Sequence, residues 1–120
     1  MKRFALTVTL LIFVLSGCAT NQAKKTTDKR IDPRSSHEEC IELLPSQTIV
    51  YLFKSSEPVK FNVHYDNGKK VMYPVSQGRV SSWWDEFRPE KEDRFCLLWE
   101  NIQSYHITLY FEYQIMENKK

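Results

Sequence analysis

None of the local signatures that announce a catalytic or metal centre is present in this sequence. Its three cysteines, Cys18, Cys40 and Cys96, form no C-x-x-C pair, which removes the commonest zinc and thiol-redox spacings. His37, His64 and His106 match no metal-ligand spacing. Serines are plentiful, but none sits in a G-x-S-x-G elbow, so no motif supports a serine nucleophile. A convincing 3.6-residue apolar stripe is also missing, which argues against packed amphipathic helices. The 12-residue apolar run from Phe4 to Leu15 is shorter than the roughly 20 residues a bilayer-spanning helix needs. No catalytic residue, metal site or cofactor is therefore expected.

What is present begins with an address. Lys2 and Arg3 precede the Phe4–Leu15 run, as the charged and apolar regions of a signal peptide do. The run closes on Leu15-Ser16-Gly17-Cys18, which resembles the signal box of bacterial lipoproteins. The resemblance implies a signal peptide over residues 1–17 and lipidation of Cys18 as the first residue of the mature chain. Ala19, rather than Asp, after that cysteine implies an outer-membrane address facing the periplasm. The alternative is an ordinary secretory signal with a cysteine near its end. Losing Lys2 and Arg3 turns 17 basic against 15 acidic residues into an even balance. With no basic face and no aromatic–basic interleaving left, nucleic acid is excluded as a partner.

Residues 18–36 read as a lipidated N-terminus and flexible tether. They are polar, with Ile31 isolated before Asp32-Pro33, and such composition offsets little ordering entropy. Residues 37–120 read as one small domain, for which a disulfide is a common supplement. With Cys18 given to lipid, Cys40 and Cys96 can pair in only one way. Two free buried thiols or metal ligation are the alternatives. The domain divides into strand-like runs at 39–44, 47–55, 59–66, 69–75, 79–87, 94–100 and 104–115, separated by turn signals such as Pro45-Ser46, Glu57-Pro58, Asn67-Gly68 and Gln77-Gly78. That spacing predicts an all-β antiparallel sandwich of about seven strands.

Three runs carry detail. Phe95-Cys96-Leu97-Leu98-Trp99 is an unbroken apolar run, suited to a strand covered on both faces. From Tyr105 to Ile115 aromatic and aliphatic residues alternate with polar ones, the pattern of a strand with one wet face. Asn67-Gly68 fits a two-residue hairpin loop, which would pair Val63 with Met72 and Phe61 with Pro74. Residues 39–101 resemble the GOLD (Golgi dynamics) domain of eukaryotic secretory cargo receptors. The resemblance rests on Glu39-Cys40, Pro45-Ser46-Gln47, Phe61-Asn62-Val63-His64-Tyr65 and Phe95-Cys96-Leu97-Leu98-Trp99-Glu100-Asn101. It implies a GOLD-like or jelly-roll-like sandwich, a Cys40–Cys96 disulfide and a binding or assembly module without catalysis. The chain lacks the receptors' coiled coil, so their cargo-sorting role does not transfer.

Two surfaces stand out as docking candidates. Trp83 and Trp84 are consecutive, so in a strand they point to opposite faces, and at least one should lie near the surface. Exposed tryptophan is a frequent binding anchor. Asn62, His64 and Tyr73 form a second, polar candidate, for which an ordinary solvated sheet face is the plainer reading. The function expected is a membrane-anchored envelope lipoprotein that binds a protein, glycan or lipid partner without catalysis. The alternatives are a structural or assembly accessory of the envelope with no separable ligand site, or a periplasmic metal carrier or enzyme. A carboxylate or second histidine at ligand distance from His64 would favour the metal carrier.

Overall fold

The computed structural model describes residues 22–118. The signal segment and Cys18 lie outside them. The described chain is all-β and antiparallel, with six strands: β1 (Lys25–Ile31), β2 (Ser36–Leu43), β3 (Gln47–Asp66), β4 (Val71–Phe87), β5 (Asp93–Glu100) and β6 (Ile107–Glu117). The architecture follows from one strand, the 20-residue β3. Its first half, through Ser55, pairs with β6, and residues 60–64 pair with β5. Between them lies Ser56-Glu57-Pro58, within the break in the β3–β4 register between Lys54 and Val59. Proline lacks the N–H needed to continue a ladder, so such a strand bends there. The β3–β4 hairpin thus folds onto itself and serves two layers, β1-β6-β3-β4 and β2-β5-β3-β4. Phe53 and Phe61, on either side of the bend, meet at 4.8 Å between ring centroids.

The core fills the space between these layers. Trp99 of β5 stacks on Phe111 of β6 at 4.6 Å and meets Phe61 at 5.5 Å. Leu43, Ile49, Val59, Val63, Leu97, Ile107 and Leu109 are among the other members. Each large side chain buried in this way contributes about 1.5–3 kcal/mol. In β6 the alternation from Ile107 to Ile115 buries every second residue, as expected. Asn101, buried at the end of β5, donates from Nδ2 to the carbonyls of Ile31, Asp32 and Tyr105. It therefore ties the β1–β2 turn to the β5–β6 connection.

Three expectations need correction. Residues 25–36 are not tether: Lys25–Ile31 form β1, paired in register with Tyr113–Ile107 of β6, and β2 opens at Ser36. The ladder hydrogen bonds of the β6 edge, with Ile31 buried at 3% exposure, hold this polar strand without an apolar face of its own. The runs at 47–55 and 59–66 are a single strand, as are those at 69–75 and 79–87, because each pair continues through its turn-like residues. The hairpin register also differs, with Tyr65 opposite Met72, Val63 opposite Val75 and Phe61 opposite Gln77. Asp66 pairs with Val71, leaving residues 67–70 as the loop. The Asn67 side chain accepts from the N–H groups of Lys69 and Lys70, and Gly68 takes a φ of 90°. Irregularities at Lys60/Phe61 and Val63/Tyr65 shift the pairing further.

Candidate functional site

The two tryptophans separate as strand geometry requires. Trp83 lies opposite Phe53 and packs against the core, with its indole nitrogen buried beside the Tyr51 hydroxyl. Trp84 lies opposite Leu52 and is 59% exposed. It stands on β4, which among the described residues pairs only with β3 and presents its other edge outward. Two hollows flank its ring. One is lined by Val50, Leu52, Lys24 and Glu112, the other by Leu52, Lys54, Ser82 and Trp83. Glu112 accepts from the Tyr110 hydroxyl at 2.6 Å and pairs with Lys24 at 3.6 Å. Those contacts, the Tyr110 bond first, hold its carboxyl below the ordinary range. This outer face thus offers an apolar strip of Trp84, Leu52 and Val50 beside a fixed negative charge.

The second candidate lies on the outer face of the other layer. Asn62 Oδ1 and His64 Nδ1 are hydrogen-bonded at 2.7 Å, and the His64 and Tyr73 rings stand 6.0 Å apart. All three expected residues are therefore neighbours. Sequence spacing missed Glu38, whose Oε2 lies 3.4 Å from His64 Nε2. No linear signal joins the two, since β5 lies between their strands and only the sheet order brings them together. On the same face runs the Cys40–Cys96 disulfide, with its Cα atoms 4.0 Å apart. It links directly opposed residues of β2 and β5 within one layer. It does not cross the core.

At the end away from the bend, the arms of the folded hairpin part around a groove of about 600 Å³. Phe95 meets Tyr65 at 5.0 Å and Phe87 at 5.1 Å to form an aromatic floor. Arg88, Glu90 and Lys91 stand on the rim, and Tyr73 joins this groove to the His64 face. A fourth group fills the open side between the layers, where Glu39 accepts from Lys25 at 2.7 Å and from the Tyr113 hydroxyl at 3.3 Å. His37 lies beside them, sandwiched near Trp99 and Phe111.

No protein-family model matches the sequence, and no curated protein matches it. Solved structures do. The periplasmic protein PliG of Aeromonas hydrophila, an inhibitor of g-type lysozyme, aligns with a TM-score of 0.57 at 11% identity, over 78% of this chain and 86% of its own. The shared property is the fold. A de novo designed double-stranded β-helix overlaps more loosely, with a TM-score of 0.42 at 14% identity over 77% of this chain and 99% of the design.

Proposed function

We propose that this chain is a lipid-anchored envelope protein whose GOLD-like sandwich binds a macromolecular partner without catalysis. The observation that carries the reading is Trp84, an aromatic side chain left 59% exposed on an edge strand. A soluble sheet usually blunts such an edge with charge or covers it, and exposed tryptophan commonly anchors binding. The Leu15-Ser16-Gly17-Cys18 box supports anchoring, and the Cys40–Cys96 bridge suits an oxidising compartment. PliG, a fold neighbour, is itself a periplasmic inhibitor of another protein, a role in keeping with a binding module. Trp83 takes no part in docking in this reading, since its place is against the core.

A second reading has its own observation. The groove between Tyr65, Phe87 and Phe95 has the size of a small-molecule site, and would make the ligand small and amphipathic. Photo-crosslinking in intact cells separates the two. A photoreactive residue at exposed Ser82, which shares a hollow with Trp84 and leaves the indole in place, is expected to give a discrete adduct, while one at exposed Lys60 gives none. An adduct from neither, or equally from both, would count against the Trp84 face. An adduct only from a probe at Met72, beside the groove, would support the second reading.

A further inference from the structure

Three neighbouring strands place Cys40, Cys96 and His64 in one row across the outer face of the β2-β5-β3-β4 layer. Cys40 is opposite Cys96 in the β2–β5 pair, and His64 is opposite Cys96 in the β3–β5 pair. Glu38, two residues before Cys40, shares their face and reaches along the row. Its Oε1 stands 3.1 Å from Cys40 Sγ and its Oε2 3.4 Å from His64 Nε2. Donor atoms of Glu38, His64 and Cys96 all lie within 4.8 Å of one another. Asn62 holds the other imidazole nitrogen, the outer contact that orients a ligating histidine. In the disulfide state neither sulfur is a thiolate, so the set is incomplete.

We propose that this row is a redox-gated metal site. When an external dithiol opens the Cys40–Cys96 bond, the two thiolates, His64 Nε2 and the Glu38 carboxylate bind one tetrahedral divalent ion of the zinc class. Bond lengths of about 2.3 Å to sulfur and 2.0 Å to nitrogen or oxygen put neighbouring donors roughly 3.2–3.8 Å apart. One Glu38 oxygen already stands 3.1 Å from the Cys40 sulfur and the other 3.4 Å from His64 Nε2, so a small turn of the carboxylate lets a single oxygen complete the set. Opening the bond lets the sulfurs separate, while eight register pairs keep β2 against β5 and the cysteines opposed. Cys40 is partly exposed, so a dithiol can reach it. One thiolate of the reductant attacks a chain sulfur to form a mixed disulfide, and its second thiol resolves it. Two electrons and two protons pass to the chain, and the reductant leaves as a disulfide. Metal binding then releases the two thiol protons to solvent.

The test uses the chain with Cys18→Ala, so that only this thiol pair remains, reduced with dithiothreitol and desalted without oxygen. Cobalt(II) is the probe. The reduced protein is expected to take up one equivalent with a thiolate-to-cobalt charge-transfer band, to melt at higher temperature with the metal than without, and to lose the band to zinc. The oxidised protein is expected to show no band. H64Q and E38Q should each weaken cobalt binding about tenfold or more, as loss of a ligand or its support does. The proposal is overturned if the reduced protein gives no band, whether it stays folded or not. Equal affinity in H64Q and E38Q would overturn it too, since an unstructured dithiol would bind the same way. This site lies on a different layer from Trp84, so its failure would leave the docking reading standing.

Discussion

His37 shows how one residue can make a small sandwich sensitive to acid. It sits on the inner face of β2 between Trp99 and Phe111, near the Lys25–Glu39 pair. Burial, aided by the charges of Lys29 and Lys25 and opposed by Glu39, lowers its pKa from the ordinary value. Above about pH 6.5, the usual imidazole value, folded and unfolded states are both neutral at this position and it adds no slope. As pH falls below that, the unfolded chain takes up the proton first, so stability drops until the folded pKa is passed. Denaturant midpoints at pH 7.5 and 5.5 should therefore fall in wild type, and fall less in His37→Gln. Identical pH slopes in both proteins would remove His37 from the explanation. Trp99 and Trp83 show the same dependence on position. Trp99 is fully buried, so Trp99→Ala belongs with core truncations that cost about 3–5 kcal/mol, and half-buried Trp83 should cost less.

At the scale of elements, β1 is where sequence and structure part most clearly. Deleting residues 22–31 removes a seven-residue ladder and the Lys25–Glu39 link, and leaves Asn101 without its Ile31 partner. The melting temperature is expected to drop by several degrees, roughly 4–8 °C for each kcal/mol in so small a domain. A tether would leave it unchanged. The strand is invisible to pattern reading because Lys25 to Arg30 supply no alternation, and backbone pairing with β6 decides the matter. By contrast, β6 was legible residue by residue, since half its side chains are buried at period two. The apolar run of β5 was legible as well, with Phe95, Leu97 and Trp99 inside and Cys96 nearly covered on the outer face. The turn signals at Glu57-Pro58 and Gln77-Gly78 were real irregularities of the chain, but within bent, continuous strands. For the candidate sites, the opposed directions of Trp83 and Trp84 followed from strand geometry alone. Which of the two faces the core did not, because it depends on which face of β4 meets the opposite layer. Glu38 stayed hidden because its neighbour His64 lies two strands away in the same layer.

For the whole molecule, the proposal joins an anchor at one end to a docking face on a rigid sheet. Metabolic labelling with a fatty acid is expected to mark the wild-type chain and to leave Cys18→Ala unmarked, since the label rides on acyl chains joined at that cysteine, each buried methylene of which adds about 0.8 kcal/mol of membrane affinity. Equal labelling of both would remove the anchor. With β1 starting at Lys25, the chain between Cys18 and the first strand is short, and the sandwich would sit close to the membrane. The most direct test of the central claim is a paired measurement on Trp84→Ala in the anchored protein, melting temperature together with recovery of the partner crosslinked through a probe at neighbouring Ser82. A surface position should change stability by no more than about 0.5 kcal/mol, while loss of a tryptophan anchor commonly costs about 2 kcal/mol or more of binding. The expected result is an unchanged melting temperature with at least a tenfold fall in partner recovery. Full recovery without the indole, or a loss seen only alongside unfolding, would contradict the account.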